Sequence, residues 1–258
     1  MKPRIAVLAL VVLGAALSIL EAQRGERSRG EQEVLDNVPY DGRWTFVRVR
    51  FATAFTGFGD FRGSRGEPPW GHDYPRAERH FTKILGELTT VGPRQDASNV
   101  IALDDPELFK YPIAYICEPG FWGPTDAEVA GLRAYLQKGG FLIVDDFRGA
   151  DFLNFEAQMR KVLPDARLTV LTAAHPIFDS FYRIESLETI VPPYGGLQPV
   201  FYGIFEDNDP AKRLLVIVNH NNDIAEYWEY SDEGYFPIEL SNEAYKLGVN
   251  YLIYALSR

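Results

Sequence analysis

Sulfur is nearly absent from this chain: its 258 residues include one cysteine, Cys117, and two methionines. A lone cysteine excludes an intramolecular disulfide, so the fold must be held by its core even in an oxidising compartment. Cys117 also lies far from the N terminus, which excludes lipid attachment beside a leader cleavage site. Histidine is scarce, with four residues at positions 72, 80, 175 and 220, and no zinc-binding motif appears. Basic residues are in deficit, 26 Lys and Arg against 36 Asp and Glu, giving a net charge of -10. That balance excludes sequence-independent nucleic-acid binding, which depends on neutralising phosphates. Gly-x-Ser-x-Gly, a phosphate-cradling loop and internal repeats are all missing.

What is present begins with an export signal. Lys2 and Arg4 precede a stretch without charge from Ile5 to Leu20, followed by the small residue Ala22. Residues 1–22 therefore read as a secretory signal peptide or, if uncleaved, an N-terminal membrane anchor, the chain's only membrane contact. The expected location is the periplasm or the outer face of the cytoplasmic membrane. Residues 23–43 form a polar linker, with Arg24, Gly25, Glu26, Arg27, Ser28 and Arg29 at its start. The remainder, 44–258, reads as a single globular domain, since 46% of the chain is hydrophobic and 14% aromatic, enough for one sizeable core.

Strands and helices alternate along that domain. Trp44, Phe46, Val47, Val49 and Phe51 suit a strand. After a glycine-rich loop at 57–71, Pro75 opens an amphipathic helix with Ala77, Phe81, Ile84, Leu85 and Leu88 at helical spacing. A strand at 111–116 runs into Glu118, Pro119 and Gly120. Thr125 and Glu128 have capping-box spacing, Val129, Leu132 and Leu136 give a buried stripe, and Gly139 and Gly140 end the helix. The apolar run 141–144 follows at once, as in strands buried on both faces, so this stretch is a right-handed βαβ unit. Phe152, Phe155, Met159 and Val162 mark another helix; 168–171, 201–205 and 214–218 are further strands, the last a central one; and Ser241 caps a closing helix from Asn242. The pattern predicts an α/β fold, a three-layer sandwich around a mainly parallel central sheet.

A series of short motifs in order strengthens this reading. They are Asp73-Tyr74-Pro75, Tyr111-Pro112 with Glu118-Pro119-Gly120, Leu132-Arg133-Ala134-Tyr135-Leu136 with Gly139-Gly140-Phe141, and Asp145-Asp146-Phe147. His175-Pro176-Ile177-Phe178, Asn219 with Asn222-Asp223, Trp228-Glu229 and Leu247-Gly248-Val249-Asn250-Tyr251 complete the set. With them the stretch from Trp44 to Arg258 resembles the bacterial domain-of-unknown-function family 4159. The resemblance implies a flavodoxin-like sheet similar to that of class I glutamine amidotransferases, and no established activity. Longer members are similar to membrane proteins encoded beside MoxR-type ATPases, which implies envelope protein partners.

In open α/β sheets the loops leaving the carboxyl ends of strands line the ligand crevice. Those loops carry Glu118, the pair Asp145 and Asp146, and His175, an oxygen and imidazole set suited to a divalent cation. No other cofactor is identified. Adjacent residues of a strand face opposite sides, so Asp145 and Asp146 should not both enter one crevice unless the strand has ended; one of them caps the next helix or holds a loop amide. His175 before Pro176 suits a turn as well as it suits a ligand, and His72 and His220 are further loop candidates. Asn219 and Asp223 beside Trp228 and Glu229 combine amides, acids and an aromatic face, a mixture that fits a sugar or peptide and fits a turn equally well. Tyr74, Tyr194 and the 57–71 loop complete the expected border.

Amidotransferase chemistry needs a thiolate on a sharp strand-to-helix turn with amides forming an oxyanion hole. Here that turn carries Asp145 and Asp146, while Cys117 ends the preceding strand next to Glu118, whose charge raises a thiol pKa. The expected function is an exported, non-catalytic binding or assembly module of the cell envelope. The alternative is a carboxylate- or metal-dependent hydrolase acting on carbohydrate or peptide.

Overall fold

A computed structural model of the chain describes residues 34–53 and 68–258. The expected leader at 1–22, the first part of the expected linker and most of the glycine-rich loop lie outside the described residues.

Seven strands form one sheet: β1 (Val47–Arg50), β2 (Asn99–Ala102), β3 (Ile113–Cys117), β4 (Phe141–Phe147), β5 (Thr169–Val170), β6 (Val200–Phe205) and β7 (Leu214–His220), in the order β2-β1-β3-β4-β7-β6-β5. In that order the first five strands run parallel to one another, while β6 runs antiparallel to β7 and β5 antiparallel to β6. The sheet is therefore mixed and mostly parallel. Among the described residues five helices cover it: α1 (Arg76–Leu88), α2 (Asp126–Gln137), α3 (Asp151–Val162), α4 (Ile224–Glu229) and α5 (Ile238–Leu256). Among the described residues no helix is long and apolar enough to cross a membrane.

Two apolar clusters flank the sheet and make three layers. On one face Phe46, Ile113, Tyr115, Phe141, Ile143 and Ile217 pack with Phe81 of α1, Trp228 of α4 and Leu247 and Tyr251 of α5. On the other Val47, Val49, Ala114, Ile116, Leu142, Val144 and Val216 pack with Leu132 and Leu136 of α2 and Phe155 and Met159 of α3. The period-2 alternation of β1, β3 and β4 sorts their residues between these faces, and burial on both sides explains their near-continuous apolar runs.

The capping box at α2 is complete: the Glu128 amide donates to Thr125 Oγ1 at 3.2 Å and the Thr125 amide to Glu128 Oε2 at 2.8 Å. Other boundaries differ from the sequence reading. β2 was not expected, and its four residues are too few to show a period. β4 continues past 144 to take in Asp145 and Asp146. β5 has only two residues, and α4, six residues long, lies where a turn or ligand segment was expected. α5 starts four residues before Asn242, directly after Pro237, so Ser241 is a buried residue inside the helix and not its cap. Proline suits that start because its fixed φ is compatible with the turn and its missing donor has no helical partner there.

From β1 the chain crosses to β2 on one side and then returns to β3 on the other, so the order reverses between β1 and β3. Such a reversal opens a crevice outside the carboxyl ends of the strands.

Candidate functional site

The carboxyl ends of β1, β3, β4 and β7 share one rim because these strands are parallel. Asp145, on the side of Ile143, points into a closed polar nest. Its Oδ2 accepts from Tyr115 Oη and the Ile224 amide, both at 2.9 Å, and from the Ala225 amide at 3.3 Å; its Oδ1 accepts from Asn219 Nδ2 at 2.9 Å. Asn219 in turn accepts from Tyr251 Oη at 2.9 Å. Burial pushes the Asp145 carboxyl up to about 7 against the pull of its donors, with the Asp146 charge adding to the rise. Asp145 therefore ties β4 to the start of α4 and is the loop-amide holder of the pair.

Strict alternation would send Asp146 to the opposite face. Between Val144 and Phe147 the register with β7 shifts, and Asp146 takes φ +55°, a left-handed value. A bulge of this kind re-aims a side chain at the end of a strand. Asp146 Oδ2 lies 2.9 Å from His72 Nδ1, and Tyr194 Oη donates to its Oδ1. Burial works against the Asp146 charge, but the hydrogen bond and charge of His72 and the Tyr194 hydroxyl hold its pKa below the ordinary value.

His72 and Asp73 arrive from the β1-to-α1 connection. A turn of 3-10 helix at Pro69–Gly71 precedes them, and Arg48, fully buried on β1, secures it from below. Arg48 Nη1 donates to the carbonyls of Trp70 at 3.2 Å and His72 at 2.7 Å, while its Nε donates to Glu78 of α1. Burial opposes the Arg48 charge; Glu78 and the Cys117 thiol outweigh it and keep the pKa above its ordinary value. Burial likewise opposes the imidazolium of His72, but Asp146, Asp73 and Glu118 override it and carry the pKa to about 10. Asp73 has φ +64° and a side chain with no exposure; among the described residues neither of its oxygens accepts from an N–H or hydroxyl donor, Oδ1 lies 3.4 Å from His72 Nδ1, and the Glu226 carboxyl is its other polar neighbour.

Three further acids join from other loops. Asp223 caps α4, its Oδ1 accepting from the Glu226 amide at 2.9 Å, and its Oδ2 lies 3.4 Å from Tyr194 Oη. Burial raises its pKa well above the usual range, and Asp146 and Asp73 add to the rise. Glu118, at φ +44°, donates its amide to the Asp146 carbonyl at 3.1 Å; burial and the Asp146 charge push its carboxyl up to about 8. Glu226 is half-buried and raised chiefly by burial. One set of ligand-type atoms, from His72, Asp73, Asp146 and Asp223, lies mutually within 4.8 Å; a second joins Asp73, Glu226 and Glu229. His72, 35% exposed in its side chain, is the group of the first set that opens toward solvent.

Not every expected residue joins them. His175 packs against Phe205 and Tyr254, centroids 5.6 and 5.7 Å away, beside the amino ends of β7 and β4, and accepts from the Ile177 amide at 3.3 Å. The expectation that it meets the carboxylates is corrected: after Leu171, whose amide bonds the Phe201 carbonyl beside Asn219, the chain turns back along the sheet to Phe205 and leaves His175 there. His220 stays at the rim but is sandwiched by Phe147 and Phe152. Trp228 is 1% exposed and stacked on Phe81 at 4.4 Å, so no ligand reaches its face. Gly248 of α5 makes that packing fit, since a Cβ there would stand 2.5 Å from the Trp228 ring. Tyr74 is buried with its hydroxyl on the Leu35 amide at 3.2 Å and borders Arg48. Cys117 is buried against Arg48 Nη1 at 2.9 Å, and burial pushes its thiol up. A cleft of about 860 Å³ lined by Pro176, Asp179, Arg183, Glu185 and Arg258 lies apart from the acids.

In the sequence His72 reads only as a loop histidine and Asp73 only as part of a motif, and nothing there marks Glu226 or Arg48. The one signal for Asp73 was its place in the first crossover loop, the segment that lines the crevice in such sheets.

A family model described as a domain of unknown function (DUF4159) matches residues 50–256. No curated protein matches the chain.

Proposed function

We propose, from the premise that the chain belongs to the DUF4159 family of domains of unknown function, that it is an exported, non-catalytic cell-envelope protein whose rim crevice binds a positively charged ligand. One observation carries this reading: Asp73, Asp146, Asp223, Glu118 and Glu226 converge on a single imidazole. Buried carboxylates without matching positive charge are costly, and a cation entering the crevice offsets that cost.

The scaffold reading is flavodoxin-like. The order β2-β1-β3-β4-β7 follows the doubly wound 2-1-3-4-5 pattern with an antiparallel pair added at one edge. Any similarity to amidotransferases goes no further than the sheet, because acids occupy the end of β4 and Cys117 is an inaccessible thiol held beside Arg48.

Thermal unfolding of the full chain with lysine amide, spermidine or divalent cations as probes tests the binding claim. At least one cationic probe should raise Tm by several degrees in the wild type and leave Asp146→Asn unmoved, while acetate and glucose do nothing. No shift with any cation would sink it. Export is tested by fusing alkaline phosphatase after residue 40: an inactive fusion would contradict it.

A second reading, a carboxylate-dependent hydrolase acting on carbohydrate or peptide, is favoured by one feature. Glu118 is pushed up to about 8 while neighbouring Asp146 is held low, the separation that an acid and a base need at neutral pH. Turnover of a glycan or peptide library that Glu118→Gln abolishes would establish it over the binding reading.

A further inference from the structure

Resting on the reading of the rim crevice as a cation site, we infer that His72, Asp73, Asp146 and Asp223 together hold one divalent metal ion. Three carboxylates and an imidazole, drawn from the β1-to-α1 loop, the end of β4 and the start of α4, present ligand atoms within 4.8 Å of one another.

Asp73 is the observation that separates this cluster from an ordinary group of acids. Its side chain is wholly buried, it lies among the other three ligand atoms, and among the described residues neither oxygen accepts from an N–H or hydroxyl donor, its neighbours being the His72 imidazole at 3.4 Å and the Glu226 carboxyl. Buried polar atoms in folded proteins are otherwise almost always partnered. The neighbouring groups are already engaged: Asp146 with His72 and Tyr194, and Asp223 with the Glu226 amide. What Asp73 lacks is a positive centre that can sit between all four residues at once.

The imidazole favours a metal over an organic ammonium: on binding, His72 gives up the Nδ1 proton it shares with Asp146 and coordinates through that nitrogen, whereas an ammonium group is held by the carboxylates alone. Donor chemistry narrows the choice further. An imidazole among three carboxylates suits Zn²⁺ or Mn²⁺, whereas Ca²⁺ takes six to eight oxygens and Mg²⁺ keeps several waters.

Outer contacts hold the set in place. Tyr194 Oη reaches both Asp146 and Asp223, and Arg48 fixes the backbone carbonyl of His72. Residues in such positions orient metal ligands and are positioning residues, not ligands.

The test uses the full chain stripped with EDTA and titrated calorimetrically with Zn²⁺, Mn²⁺, Mg²⁺ and Ca²⁺ in turn, with circular dichroism on every variant. The expected result is one equivalent of Zn²⁺ or Mn²⁺, bound at least tenfold more weakly by Asp73→Asn and by His72→Gln and unchanged in His175→Ala. Asp73→Asn removes no bond from an N–H or hydroxyl donor and keeps a polar group of the same size beside Glu226, so it should stay folded. Pulsed electron paramagnetic resonance of bound Mn²⁺ gives a readout independent of any variant, because a coupled imidazole nitrogen must appear. No binding by any of the four cations, equal affinity in both ligand variants, or Mn²⁺ without nitrogen coupling each overturns the metal assignment. If lysine amide or spermidine still stabilises the wild type and not Asp146→Asn, the metal has failed and the cation crevice stands; if neither metal nor amine binds, both fall.

Discussion

Asp145 and Asp146 leave the same strand one residue apart, yet Asp145 accepts from four donors in a closed nest, whereas Asp146 faces a half-open group of other acids with one imidazole and one phenol among them. Both are buried, so burial alone does not distinguish them. What differs is the balance of donors against acceptors. A buried acid with a full set of donors stabilises the fold around it, and a buried acid whose neighbours are acids stores unfavourable charge that a bound cation relieves. Arg48 with Glu78 stands closer to the first kind, as a buried ion pair in which both side chains are at most 1% exposed and opposite charges match, although Glu78 Oε2 and Arg48 Nη2 find no partner among the described residues. Asp73 belongs to the second.

The largest effect is expected where a satisfied partner is removed. Arg48→Met leaves Glu78 buried without its counter-charge and frees the Trp70 and His72 carbonyls, which should cost about 4 kcal/mol by urea denaturation. Asp145→Ala strands Tyr115, Asn219 and two amides of α4 and should cost about 3 kcal/mol. Asp73→Asn, at equal burial, should change stability by less than about 0.5 kcal/mol or raise it, because no donor is lost and a buried acid is removed. A loss at Asp73 as large as that at Asp145 would break the contrast between the two regions.

Much of the scaffold was visible in the sequence because it is written locally. The capping box of Thr125 and Glu128 and the apolar run 141–144 sit within a few residues of the elements they specify. β2 and α4 were not visible, since four and six residues carry too little periodicity. For the site, the rule that strand ends line the crevice pointed to Glu118 and to Asp145 and Asp146, whose duties side-chain alternation separated, while Asp223 was marked only by the polar segment beside Trp228. The rule failed for His175, because the chain turns back along the sheet after Leu171. For Asp73 it gave no more than a place in the β1-to-α1 loop, and His72 and Asp73 come to Asp146 from 74 and 73 positions away with no spacing to announce the meeting. The bulge that turns Asp146 toward them depends on register with β7 and leaves no mark on the sequence itself.

Tyr194 sharpens the comparison at a smaller scale, because it is the hydroxyl donor shared by two acids of the cluster, Asp146 and Asp223. Tyr194→Phe removes its bonds to Asp146 and Asp223 without changing shape and should lower stability by about 1 kcal/mol. Cation affinity should fall several-fold in calorimetry as the two carboxylates lose their common restraint. Unchanged affinity would remove Tyr194 from the site and leave it as a surface contact with Arg148, whose guanidinium lies 4.5 Å from its ring.

The smallest effect concerns His175, away from both regions. Burial and then the charge of Arg258 hold its pKa below the ordinary 6.5, and its Nδ1 accepts from the Ile177 amide in the neutral form. The unfolded chain therefore takes up the proton first: the stability it contributes is present above pH 6.5 and lost as the pH falls through and below that value. His175→Gln should lose less of its urea midpoint between pH 7 and pH 5 than the wild type does, with metal and amine binding unaffected. If wild type and variant lose the same, the acid sensitivity in this range belongs instead to His220, also lowered from 6.5 by burial.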